Sequence, residues 1–290
     1  MDKRVRLPPG FAIVNRRDGE GDTDTMAHAL GAPAGERLPD GLNQPDLAGP
    51  EVRRAKEDLA ACFRMAARYG LEEGICNHFS AMVPGYDDLF IVNPYGYAFA
   101  ELTASKLLVC DFHGNVVAGG GQPEATAFYI HARLHARIPR ARVAFHTHMP
   151  YATALSMTEG DPLIFAGQTA LKFYGRTAFD RNYNGLALDS AEGDRIADSV
   201  GEADIVFMKN HGVMVLGPTI AEAWDDLYYL ERAAEVQVLA LSTGRPVLPV
   251  APAIAEAASR QMREGDPESA RLHLAAVRRR LDREEPDYAD

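Results

Sequence analysis

The sequence has few cysteines and no long apolar run, and its positive charges are outnumbered. Three cysteines among 290 residues, Cys62, Cys76 and Cys110, stand apart with no CxxC pair. A sparse, odd count excludes a disulfide framework and suits buried thiols in a reducing compartment, so a cytoplasmic protein is expected. No segment approaches the roughly 20 apolar residues that span a bilayer. The N-terminal MDKRVRLPPGFAIVNRRDGEGD is basic at its start but has no apolar core of signal-peptide length. Lys and Arg number 30 against 41 Asp and Glu, a formal net charge of -11. General binding to nucleic acid or to an anionic membrane needs clustered positive charge, so neither partner is expected.

A hydrophobic content of 47% with 24% charged residues can build a sizeable core. Residues 1–49 are rich in Gly, Pro, Asp and Arg and lack hydrophobic periodicity. They read as an N-terminal extension, partly disordered or wrapped over a neighbouring subunit. A main domain over 50–250 and a C-terminal helical tail over 251–290 are expected to follow. Helical spacing of Val52, Leu59, Cys62, Phe63 and Ala66 predicts a first helix that stops at Gly70. Strand-like pieces cover 77–83 and 89–92, and a hairpin spans 107–111 and 115–117 about an HG turn. Helices are predicted over 124–136, 150–155 and 191–200. Strands are predicted over 143–148, 205–208 and 212–216. A helix capped by Thr219 runs to about 241, and a last, charged helix covers 253–281. The stretch 161–187 reads as aromatic and loop-rich. Helices mixed with hairpin-connected strands predict an α/β sandwich about a largely antiparallel sheet.

The strongest chemical signal is AFHTHMP. On a strand, His146 and His148 point to the same face and can reach one ion, whereas on a helix they would diverge by about 200°. His211, in KNHGV, follows the apolar run DIVFM and precedes a glycine, which suits a site where backbones approach closely. Three imidazoles and an open position make a Lewis-acid site for Zn²⁺ or another first-row ion such as Fe²⁺, Mn²⁺ or Co²⁺. Taken singly, an HxH pair or a histidine before glycine is more often an ordinary core or loop residue.

The HTH pair, the later NHG, an upstream glutamate, NPYGYAFAELTASKLLVCD and the helix GPTIAEAWDDLYYLERAAEVQ together resemble the class II aldolase/adducin family over about residues 51–245. The resemblance implies a three-layer α/β/α sandwich, a homotetramer, and one divalent metal ion on His146, His148 and His211. It also implies a glutamate base at a helix start, for which Glu124 in GGQPEATAFYIHARLH is the candidate. Glu124 stands nearly one helical turn farther upstream of the HxH than in the family's small aldolases. A helix-start glutamate also reads as a plain cap.

For substrate contacts the resemblance points to Asn77 and Gly96. The paired serines that hold phosphate in the family's aldolases are replaced by Gln122 and Pro123, so a substrate without phosphate is implied. His131 shares a helix face with Glu124, Phe128 and His135 and is a further candidate for the pocket. Tyr228 and Tyr229 match the position from which a proton-donating tyrosine comes in the family, with interface packing as the alternative. The implied activity is a carbon–carbon lyase of aldolase or decarboxylase type, acting on a hydroxy or keto compound through a metal-stabilised enediolate. Two rivals remain. One is a non-haem Fe(II) oxygenase cleaving an arylpyruvate-like acid; the other is a non-catalytic, adducin-like interaction module.

Overall fold

The computed structural model describes residues 46–290, so residues 1–45 of the expected N-terminal extension lie outside the described residues. Helix α1 (Pro50–Tyr69) starts with proline at its first position and ends on Gly70, whose φ of 65° is the left-handed cap that glycine adopts without a steric penalty. Strands β1 (His78–Met82), β2 (Leu89–Val92), β3 (Leu108–Asp111) and β4 (Val116–Ala118) form an antiparallel meander. Helix α2 (Ala125–Arg137) leads to β5 (Val143–Thr147) and the short α3 (Pro150–Ser156). After α4 (Gln168–Leu171) come β6 (Thr177–Asp180) and α5 (Ser190–Val200), then β7 (Ile205–Met208) and β8 (Gly212–Gly217). Two long helices close the chain, α6 (Ile220–Ser242) and α7 (Pro252–Glu284). Asp189 and Thr219 cap α5 and α6 by accepting the N–H of the residue three positions on.

The eight strands make one sheet in the order β4-β3-β2-β1-β5-β8-β7-β6. Every pairing is antiparallel except that of β6 with β7. The two-residue period of a strand sorts the core into two layers. Phe79, Ala81, Val143, Phe145, Val213 and Val215 face α1, α3, α6 and α7. Ala144, Val206, Met214 and Leu216 face α2 and α5. The result is an α/β/α sandwich whose central strands are buried on both sides, which is why they read as continuous apolar runs. On the α2 side a polar seam interrupts the apolar packing: His78 and Ser80 from β1 meet His131 and His135 from α2, all buried.

The sequence reading of 161–187 as loop missed α4 and β6. Strand β6 has four residues, three of them only half-buried, so it carries neither alternation nor a long apolar run. Helix α7 lies against α1 and α6 and puts Leu274, Val277 and Leu281 into the core. Arg278 on α7 pairs with Glu57 and Asp58 of α1 at 2.8 and 2.7 Å. Cys62 and Cys110 are buried as expected of thiols, whereas Cys76 is exposed. Among the described residues no helix is long and apolar enough to cross a membrane.

Candidate metal centre

His146 stands on β5, His148 one residue beyond the strand's end, and His211 in the turn between β7 and β8. That turn is tight: Asn210 adopts a left-handed φ of 57°, a conformation asparagine tolerates better than most residues. A Cβ on Gly212 would lie 2.5 Å from the Thr147 carbonyl oxygen and 2.9 Å from His148 Cδ2. Only glycine lets the turn close on β5. The ring centroids of the three histidines are 4.7, 4.9 and 5.0 Å apart, and one donor nitrogen of each lies within 4.8 Å of the other two.

Hydrogen bonds fix two of the rings. His146 Nδ1 faces the Val213 carbonyl at 2.9 Å and His148 Nδ1 faces Glu73 Oε2 at 2.6 Å. Both partners accept, so both Nδ1 atoms carry a proton, and in the neutral form of each ring Nε2 keeps a lone pair. Those two Nε2 atoms are 3.1 Å apart. Two lone pairs facing each other with no proton between them repel, and a cation removes the repulsion. Burial holds His146 neutral, far below the ordinary imidazole range, with neighbouring His211, His78 and His148 pushing the same way. Burial, followed by His148, lowers His211 to about 4. The donor set therefore fits a first-row divalent ion.

Glu73 and Asn77 hold this arrangement. Asn77 Oδ1 accepts from the Glu73 N–H at 2.7 Å and from the His148 N–H at 3.4 Å, tying the loop after α1 to the end of β5. Asn77 thus positions a ligand-bearing segment through its oxygen, while its Nδ2 is buried with no hydrogen-bond partner among the described residues. A carboxylate on the far nitrogen of a ligating imidazole fixes the tautomer and raises ligand basicity. Glu73→Gln is expected to lower zinc affinity by about 10–100-fold with the fold intact, measured by chelator competition alongside circular dichroism.

A cleft of about 670 Å³ opens beside His148 and His211. Four carboxyl groups line it: Glu72, Glu73, Asp180 and Glu192. Arg195 engages both oxygens of Asp180 at 2.8 and 2.9 Å and Glu192 at 2.7 Å. Among the described residues Glu72 Oε2 accepts only the Phe99 N–H, at 2.9 Å. Burial raises the Glu72 pKa and the Phe99 hydrogen bond partly opposes this. Ile130, Met157, Ile196 and Met208 give the cleft an apolar side.

The other sequence candidates lie elsewhere. Glu124 is the N-cap of α2, accepting from the Ala127 N–H at 2.8 Å and from the Thr126 hydroxyl. It is absent from the donor set and from the cleft wall. At the N-cap the carboxylate meets the helix's own unsatisfied N–H groups. His131 is fully buried beneath the sheet and bonded to His78 and Ser80, so it does not line the cleft. Gly96 and Gln122 belong to two exposed loops joined by a bond from the Tyr95 N–H to the Gln122 carbonyl, and neither lines the cleft. Tyr228 and Tyr229 pack around His273 and, for Tyr228, Tyr69, and neither lines the cleft of its own chain. Sequence reasoning missed Glu72, Glu73 and Arg195. The two glutamates sit in an irregular turn that carries no periodic signal.

Residues 57–238 match the family described as Class II Aldolase and Adducin N-terminal domain. The chain belongs to that family. A Caulobacter vibrioides protein provisionally named as an aldolase class 2 protein is 36% identical over 245 residues, 82% of this chain and 92% of its own length. Alpha-adducin of Rattus norvegicus is 30% identical over 68% of this chain, a match that covers 27% of the adducin. Two solved structures share the sandwich. An aldolase II superfamily protein from Pseudomonas syringae has a TM-score of 0.78 at 31% identity, over 83% of this chain and 97% of that one. L-fuculose 1-phosphate aldolase from Glaciozyma antarctica has a TM-score of 0.72 at 25% identity, over 85% and 96%. The family therefore joins aldolase-like and adducin-like relatives around one fold.

Proposed function

We propose that this chain is a divalent-metal-dependent carbon–carbon lyase of aldolase or decarboxylase type, with Zn²⁺ on His146, His148 and His211. The pair of Nε2 lone pairs held 3.1 Å apart carries the reading. A bound cation would supply Lewis-acid polarisation of a substrate carbonyl and stabilise negative charge developing on its oxygen. Glu73 keeps His148 in the ligating tautomer, and the Val213 carbonyl does the same for His146. Among the cleft's carboxyl groups, Asp180 and Glu192 are taken by Arg195 and Glu73 by His148, which leaves Glu72 to move the proton. Its raised pKa suits that task, because proton transfer is most efficient when the group's pKa approaches the working pH.

The substrate in this reading is a hydroxy or keto compound without phosphate. Four carboxyl groups face Lys209 and an Arg195 already engaged, a poor field for a dianion. A cytoplasmic homotetramer belongs to the same proposal, supported by the sparse cysteines and by exposed Val236, Leu239, Leu248 and Ile254 on the outer side of α6 and its sequel.

The test is a substrate panel of hydroxy and keto acids with the zinc-loaded protein under nitrogen. Cleavage independent of oxygen is expected, and Glu72→Gln should lower its rate by about 10²–10⁴-fold while zinc content stays the same. Turnover that requires Fe(II) and O₂ would replace this reading with the oxygenase. Protein that binds no metal and turns over nothing would leave the adducin-like module.

A further inference from the structure

Helix α3 begins two residues after His148, and one of its faces is turned to the cleft. Pro150, Thr153, Ala154 and Met157 follow the i, i+3, i+4, i+7 spacing of a single helix face, and all four line the cleft. Thr153 keeps its Oγ1 out of contact with solvent, so the side-chain surface of this stripe is apolar. At 1.5 Å per residue the stripe is roughly 10 Å long. A surface helix ordinarily puts polar residues outward, whereas α3 leaves Pro150, Ala154 and Met157 exposed.

The loop between β6 and α5 adds Tyr183 and Leu186 to the same cleft. Met157, Tyr183 and Leu186 are 59%, 54% and 65% exposed. One exposed apolar side chain is ordinary on a protein surface, but three gathered on one cleft mark a binding surface. The Tyr183 ring centroid lies 6.4 Å from that of His211, so this surface adjoins the metal centre. Several polar side chains of the cleft are already bonded within the protein. Thr126 donates to Glu124, Asn184 donates to Glu192 at 3.2 Å, and Arg195 donates to both Asp180 and Glu192. A chain of hydroxyl groups laid on the α3 stripe would lose water and gain no partner there, which is unfavourable for each group. A hydrocarbon chain gains by the same move.

We propose that the compound bound at the metal centre carries an apolar tail, an alkyl chain or an aryl ring, that packs against the α3 stripe, Tyr183 and Leu186. Its head is the hydroxy or keto group of the reading above, and its chain is not a polyol. This inference rests on the metal site proposed above.

The test is binding of glycolate, 2-hydroxyhexanoate and gluconate to the Co²⁺-loaded protein, followed in the visible spectrum. All three share a 2-hydroxycarboxylate head. The second adds an alkyl tail, and the third adds a hydroxylated chain of the same length. 2-Hydroxyhexanoate is expected to bind about 10–100-fold more tightly than glycolate, the effect of a few methylenes leaving water. Gluconate should bind no more tightly than glycolate. Met157→Ser combined with Leu186→Ser should bring the preference for 2-hydroxyhexanoate below about threefold. Both positions are exposed, so glycolate binding, cobalt content and melting temperature should stay unchanged. Equal binding of glycolate and 2-hydroxyhexanoate, or tighter binding of gluconate than of 2-hydroxyhexanoate, would overturn this inference alone. A preference that survives while the double variant sediments as a smaller assembly would also overturn it, assigning the exposed side chains to a second copy of the chain. Failure of wild type to bind cobalt would overturn the metal site and this inference with it.

Discussion

His211→Ala is expected to lower zinc affinity by about a thousandfold, beyond the 10–100-fold loss expected when only a hydrogen-bond partner of a ligand is disturbed. The variant retains the facing Nε2 atoms of His146 and His148, which hold an ion with two ligands instead of three. Metal-free stability should be spared, because the alanine removes a desolvated imidazole whose pKa burial has already lowered to about 4. Chelator competition gives the affinity, and a melting curve in chelator separates loss of metal from loss of fold. His146→Ala is a less clean probe, since it would also remove the imidazole bond to the Val213 carbonyl and leave a void in the centre of the sheet.

Lys172→Met is expected to destabilise the fold by about 3–5 kcal/mol, the usual consequence of removing one partner from a buried ion cluster. Lys172 Nζ meets Asp225 at 3.0 Å, Asp226 at 3.1 Å and Asp266 at 2.7 Å, joining the segment after α4 to α6 and α7. Burial alone would lower the lysine pKa, and the carboxylates outweigh it and hold the lysine protonated. Without the ammonium, Asp226 keeps Arg176 at 2.6 Å and Asp225 keeps His273 at 2.8 Å, but buried negative charge is left in excess. Burial already holds the Asp226 carboxyl above its ordinary value, and loss of the ammonium raises it further and removes part of what lowers Asp225. The folded variant binds more protons than the unfolded chain, so its deficit should narrow as pH falls from 7 toward 5. Urea denaturation at both pH values measures the deficit and its pH dependence.

Local chemistry made much of this molecule legible. Gly70 and Thr219 mark helix ends through backbone geometry and capping, and the HTH pair marks a strand because only a two-residue period aligns both imidazoles. The glycine after His211 signalled a close approach that the Thr147 carbonyl then accounts for. Interactions between distant segments left no such trace. Glu73 reaches His148 across 75 positions, and His78 reaches His131 across 53. Glu124 shows the limit most clearly. Its place at a helix start was readable, but whether its carboxylate turned to an ion or to its own helix depended on how α2 lies against β5. Strand β6 is an edge strand stabilised by parallel pairing to β7, and pairing partners do not show in a four-residue segment.

The most direct test of the central claim is X-ray absorption at the metal edge on protein loaded with one equivalent of zinc. One ion per chain is expected, with a nitrogen shell at about 2.0–2.1 Å and the outer scattering of three imidazole rings. An ion bound without imidazole, or no stoichiometric binding at all, would contradict it.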